Sequence, residues 1–189
     1  MLMVGIILAI VVVIIIVLAG LYNSLVGKKN QVINVFASVD ALLRKRYDLI
    51  PNLVATAQTY MQYEKEVFTK VTELRAKAIS GSASDAEKIQ IDRDISKMLR
   101  GIMVAVENYP DLKANQNFLQ LQASLNEAEE QISAGRRAYN AAVTDYNNAV
   151  EMFPTNFMAQ MMNYKLRPVF EITAEEREPV DVQKMFKRQ

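Results

Sequence analysis

The 189-residue chain has no cysteine and no histidine, and it holds only 6 glycines and 5 prolines. Without cysteine there is no disulfide framework, no thiolate nucleophile, no zinc–thiolate site and no lipoprotein attachment point. The missing histidine is the more restrictive absence, because imidazole is the usual general base near neutral pH and the commonest transition-metal ligand. Together the two absences exclude Ser–His and Cys–His nucleophiles and the Glu-x-x-His di-iron bundle pattern. A formal net charge of +1 offers no general field for nucleic acid. So little glycine and proline leaves most of the chain with little reason to stop being helical.

What is present begins with an uncharged run, "MLMVGIILAIVVVIIIVLAGLY", from Met1 to Tyr22. As a helix it is roughly 33 Å long, enough to cross a hydrocarbon core of about 30 Å. A cleaved secretory signal would need a basic segment before a shorter apolar core. Nothing basic precedes this run, so an uncleaved anchor is expected. Lysines and arginines follow the span and none precede it. The nearest are Lys28 and Lys29, placed to meet lipid head groups. The asymmetry favours a cytoplasmic C-terminal domain, with an extracytoplasmic one as the alternative.

After the anchor, apolar positions step by three and four through Val32, Val35, Val39 and Leu42, then Arg46, Leu49 and Leu53, and on to Tyr60 and Val67. The phase passes through Pro51 unchanged, which predicts one helix over about residues 23–80, bent at Pro51 with the ring on the outer face. A new helix capped by Asp48 is the competing reading. Arg46 sits on the apolar seam. It reads first as a snorkelling side chain whose stem covers the core, and second as a buried ion pair that fixes register or partner.

The stretch "AISGSASDAEK" interrupts the pattern, with Ser84 or Asp85 suited to cap a second helix over about 85–108. A third is expected over 115–153, where Phe118, Leu125, Ile132, Tyr139, Tyr146 and Phe153 recur every seven residues. Mostly small residues, including Ala128, Gly135, Ala142 and Ala149, fill the adjoining column, so a neighbouring helix can approach closely. The fold class is therefore all-α: a transmembrane helix continuing into an elongated antiparallel bundle or coiled coil over 23–155. The tail, 156–189, is rich in Met and aromatics at first. It suits a short helix on the bundle or membrane surface, a segment gripping a neighbouring chain, or no fixed structure. "VFEIT" and "VDVQKMF" read as short extended pieces.

Several stretches together are similar to the LemA family of bacterial membrane proteins. They are "YNSLV" (22–26), "RYDLIPNLV" (46–54), "ENYPDLKANQNFLQLQ" (107–122), "RRAYNAAVTDYNNAVEMFPTN" (136–156) and "RPVFE" (167–171). The resemblance implies a membrane anchor, in the bacterial cytoplasmic membrane, followed by an elongated antiparallel bundle. It implies no activity.

Helix lengths carry the functional expectation. A first helix of about 87 Å outruns partners of about 58 and 36 Å, leaving the apolar stripe of Val32, Val35, Val39, Leu42, Arg46, Leu49 and Leu53 uncovered. An exposed stripe of that size predicts lateral self-association. A membrane-anchored scaffold that forms a homo-oligomer is the leading reading, and an adaptor for another membrane protein the second. An enzyme is the last, since Glu64, Glu66, Glu127, Glu129 and Glu130 read as solvated helix faces. The expected partners are the lipid bilayer, other copies and another membrane protein. No cofactor, metal or nucleic acid is expected.

Overall fold

An N-terminal segment made almost wholly of Ile, Val, Leu, Ala and Met satisfies its own backbone only as a helix once it leaves water. The computed structural model describes residues 1–62, 64–81 and 83–170. It shows one uninterrupted helix, α1 (Leu2–Gln58), which begins inside this segment and ends 36 residues beyond Tyr22. It is the one helix among the described residues long and apolar enough to cross a membrane, and no residue of its apolar window is buried. Bundle packing starts at Leu25, which is fully buried.

Five further helices follow: α2 (Lys65–Ile79), α3 (Asp85–Val106), α4 (Pro110–Lys113), α5 (Gln116–Glu151) and α6 (Thr155–Met161). Among the described residues there is no strand. α1 leaves the membrane end and α2 folds back along it. α3 runs outward again, and α5 returns the whole way, antiparallel to α1. Side-chain pairings fix these directions. Arg75 of α2 reaches Tyr47, Lys88 of α3 reaches Asp40, and Asn115 at the start of α5 donates to the Tyr60 hydroxyl at 3.1 Å.

Local signals account for the ends. Ser84 accepts from the Glu87 amide while the Glu87 carboxylate accepts from the Ser84 amide, a complete capping box. Those bonds from Ser84 hold the Glu87 carboxyl below its ordinary range. Asn115 caps α5 by accepting from the Phe118 amide at 3.1 Å. Pro110 opens α4 at the position where a missing N–H costs nothing. At the end of α6 the amides of Asn163 and Tyr164 donate to the carbonyls of Gln160 and Ala159. Asn163 takes a positive φ of 52°, so a Schellman turn reverses the chain.

Two expectations about the first helix need correction. The helix over 23–80 is in fact two. The chain turns after Gln58, where the amides of Tyr60 and Met61 share the Ala57 carbonyl, and Met61 and Ala57 are buried in the turn. α2 is itself amphipathic and places Phe68, Val71 and Leu74 in the common core. Its period therefore imitated a continuation while its apolar face found partners by folding back.

The second correction follows from the first. Beyond Tyr22, α1 runs about 54 Å to Gln58, the same length as the 36 residues of α5. The length mismatch disappears. Val32, Val39, Arg46 and Leu53, expected at an interface between copies, are buried inside the chain's own bundle, and Val35, Leu42 and Leu49 pack partly buried against it. The inner seam pairs that first set with Phe36, Leu43, Ile50 and Ala57, one residue beyond the positions read from the sequence.

The seam on α5 follows the heptads through Phe118, Leu125, Ile132, Tyr139 and Tyr146, all buried. Phe153 departs from it and is 78% exposed, because α5 ends at Glu151 and Pro154 allows no further turn. The small column does what small residues allow. A Cβ on Gly135 would stand 3.1 Å from Val39 Cγ2, so the side chains of α1 pack closely on α5 there.

Candidate functional site

Arg46 points from α1 into the junction of α3 and α5. Its guanidinium donates to Ser96 Oγ at 3.0 Å, to Glu129 Oε2 at 2.6 Å and to Asp92 Oδ1. From α5, Arg136 donates to the other Asp92 oxygen at 2.6 Å and pairs with Glu129 at 3.5 Å. Two cations and two carboxylates thus close a neutral cluster across three helices. Arg46 and Asp92 are each only 1% exposed. The ion-pair reading of Arg46 holds and the snorkelling one does not, since no part of the guanidinium reaches water.

Such a cluster costs several kcal/mol of desolvation per ion and is repaid only when nearly every polar atom has a partner. Here the carboxylates face arginines on both sides, so shifting α1 by one turn against α3 would strand charge. The arrangement fixes register. Tyr47 lies beside it. Burial, reinforced by the Asp92 carboxylate and opposed by Arg46, pushes its phenol above the ordinary range, so it remains a neutral hydroxyl. Among the described residues, no group of three carboxylates converges as a metal site would require.

Pro51 is exposed on the outer face of α1, and the helix continues through it. Proline lacks the amide that would donate to the Tyr47 carbonyl. Arg75 takes that place, its Nε donating to the Tyr47 oxygen at 2.8 Å while its guanidinium reaches Asp48 at 3.5 Å. The proline therefore opens a binding point on the backbone of α1, and α2 docks on it.

A third construction was not foreseen. Beyond α6, residues 164–170 run back along α5, away from the membrane end. Asn147 pairs with both backbone groups of Arg167, at 3.0 and 2.9 Å, and Asn140 does the same with Phe170, at 2.8 and 2.8 Å. Tyr146 and Tyr139 donate to the carbonyls of Lys165 and Pro168. Seven helical residues rise about 10.5 Å and three extended residues span about 10 Å, so each heptad of α5 meets three residues of an extended chain. The sequence signal is the dipeptide Tyr-Asn repeated after seven residues, at 139–140 and 146–147. Phe170 then packs edge-on against Tyr139, which also meets Phe36. Burial raises the phenols of Tyr139 and Tyr146 above their ordinary range. "VDVQKMF", and "VFEIT" beyond Phe170, lie outside the described residues.

At the membrane end, Leu25 packs with Ala149 and Ala159. Lys28 and Lys29 are partly buried, with the Lys29 ammonium 5.3 Å from the centre of the Tyr164 ring.

The sequence pattern of the LemA family matches residues 35–183, a stretch that contains the charge cluster, the proline docking point and the Tyr-Asn clasp. The chain belongs to the LemA family. It is similar to Protein LemA of Metamycoplasma hominis, 25% identical over 166 residues that cover 88% of this chain and 76% of that protein. It is also similar to Magnetosome protein MamQ 2 of Paramagnetospirillum magneticum, 23% identical over 175 residues, covering 79% of this chain and 64% of that one. Magnetosome protein MamQ of Magnetospirillum gryphiswaldense is 22% identical over 169 residues, covering 76% and 62%. The LemA-family chain thus spans under two thirds of the length of these magnetosome proteins.

Proposed function

We propose that this LemA-family protein is a non-catalytic, membrane-anchored scaffold, a helical rod that stands on the cytoplasmic face of the bacterial membrane and holds other copies or membrane proteins at a set height. One observation carries the reading: the apolar span and the central helix of the bundle are the same unbroken helix, Leu2–Gln58. A bundle joined through continuous helix, with no linker, passes the direction of the span directly to its outer faces. The cytoplasmic side is supported by Lys28 and Lys29 directly after the span. The non-catalytic part rests on the lack of histidine and cysteine, and on Asp92 and Glu129 being engaged by arginines.

Lateral association of copies, in this reading, runs through the spans and the outer faces. Most of the Val32–Leu53 stripe is occupied within the chain's own bundle, with Val35, Leu42 and Leu49 partly exposed. Because the chain has no cysteine, single cysteines at Val13 in the span, and at Arg44 and Leu119 on exposed faces, can be cross-linked in native membranes without background. One cysteine per chain joins two copies, so a scaffold of copies gives a band at twice 21.4 kDa. Discrete bands at other masses favour the adaptor form. Monomer alone at all three positions sinks the proposal.

A further inference from the structure

The membrane end of the bundle carries an apolar patch left exposed among the described residues. Met152, Phe153, Phe157 and Met161 are 62%, 78%, 66% and 82% exposed. Val104 and Leu119, exposed on α3 and α5, have no such cluster in their own sequence neighbourhood. The first four share one feature, the turn after α5 and the outer face of α6. Phe157 and Met161 stand four residues apart, on the face away from buried Ala159.

Height decides what this patch meets. α5 runs toward the membrane antiparallel to α1, and Ala149 lies level with Leu25, where both pack with Ala159. Two residues further, α5 ends at Glu151, level with about Asn23 of α1 at a rise of about 1.5 Å per residue. The turn at Met152–Pro154 therefore reaches the level of Tyr22, the end of the uncharged run. Lys28, Lys29 and Lys165 lie toward this end, with the carboxylates of Asp145 and Glu151. Aromatic and methionine side chains at the lipid boundary with lysines behind them are the composition of an interfacial membrane contact.

We propose that Met152, Phe153, Phe157 and Met161 enter the interfacial layer of the bilayer that the N-terminal span crosses, giving the bundle a second foothold. The inference rests on the reading of Leu2–Tyr22 as a membrane span. A helix that only crosses the bilayer leaves its bundle free to tilt and rotate. A second contact, displaced from α1 by the width of a helix pair, fixes both. The Leu25–Ala149–Ala159 contact clamps α6 to α1, and the Schellman turn at Asn163 with the Asn147 clasp holds the far end of α6, so the patch is presented on a rigid mount.

The chain has no tryptophan, so one introduced indole reports alone. Full-length protein is reconstituted in lipid vesicles free of other protein, containing phospholipids brominated either near the head group or deep in the acyl chain. Phe157→Trp is compared with Val12→Trp in the span and Val104→Trp on the exposed face of α3. The foothold predicts loss of Phe157→Trp fluorescence that is greater with shallow bromines, loss at Val12→Trp that is greater with deep ones, and none at Val104→Trp. If Val12→Trp is quenched and Phe157→Trp is not, the foothold is wrong and the span stands. If Val12→Trp escapes quenching, the span reading fails and the foothold with it. A blue-shifted but unquenched Phe157→Trp places a second copy of the protein on the patch and also overturns the proposal.

Discussion

The outer and membrane-proximal halves of the bundle cover the same two helices by different means. In the outer half α1 and α5 are joined by α2 and α3, helices whose backbones are already satisfied, so the contacts needed are apolar packing and the charge cluster. Near the membrane α2 and α3 are absent, and the gap is closed by residues 164–170 running along α5. A backbone without its own ladder must find donors and acceptors elsewhere. Asn140 and Asn147 supply them in pairs, and Tyr139 and Tyr146 add one each. Register in the outer half is thus set by charge, and in the inner half by amides. Arg136 joins the two, paired with Asp92 on one side and 5.8 Å from the Phe170 ring centre on the other.

The comparison breaks most visibly at Asp92. Asp92→Ala leaves buried Arg46 and partly buried Arg136 with Glu129 as their shared carboxylate, and should cost about 3–5 kcal/mol in urea unfolding of the detergent-solubilised protein. The double variant Arg46→Met with Asp92→Leu keeps the Glu129–Arg136 pair and fills the space with apolar atoms. It should recover most of that loss. Equal destabilisation in both variants would mean that shape, and not charge balance, is what Asp92 contributes.

Next in size is the clasp. Asn147→Leu removes two hydrogen bonds to Arg167 and strands its amide and carbonyl, a cost of about 1–3 kcal/mol per buried group left unpaired. The loss should be local. Hydrogen exchange should rise across residues 164–170 while the amides of α2 and α3 keep their protection. Uniform loosening of the bundle would show that the two halves are one cooperative unit and that the contrast between them has no energetic meaning.

How far the sequence anticipated these halves follows from the kind of pattern each uses. Heptads of Phe118, Leu125, Ile132, Tyr139 and Tyr146 announced α5, and the long uncharged run announced the span, because a helix writes its buried face at a fixed period. The same rule misled at 59–64. Two amphipathic helices in phase look like one, and no glycine or proline marks the turn. It also blurred the α1 seam, since Val35 and Phe36, or Leu42 and Leu43, are adjacent apolar residues that fit the period equally well. Arg46 was visible as a charge out of place, but its partners were not, because Asp92, Glu129 and Arg136 sit among other charges with nothing local to mark them. The clasp was hidden for a different reason. Its signal, Tyr-Asn repeated at seven, is polar, and polar residues beside a seam look like solvent face until an extended chain lies on them.

The smallest expected effect is also the most specific. Arg75 is worth little as an ion pair, since Asp48 is largely in water. Its hydrogen bond to the Tyr47 carbonyl matters because Pro51 leaves that oxygen without its helical donor. Arg75→Met should therefore cost about 1 kcal/mol. In Pro51→Ala the restored amide of residue 51 can donate to Tyr47 itself, and the same Arg75→Met change should then cost measurably less. A coupling of about 0.5–1 kcal/mol between these two positions, which lie on different helices, is expected from a double-mutant cycle in urea. Strict additivity would mean that Arg75 acts through its aliphatic stem and that the proline has no part in docking α2. A positive result ties the proline of "RYDLIPNLV" to the fold-back of α2, and so to the turn that brings α1 and α5 to equal length.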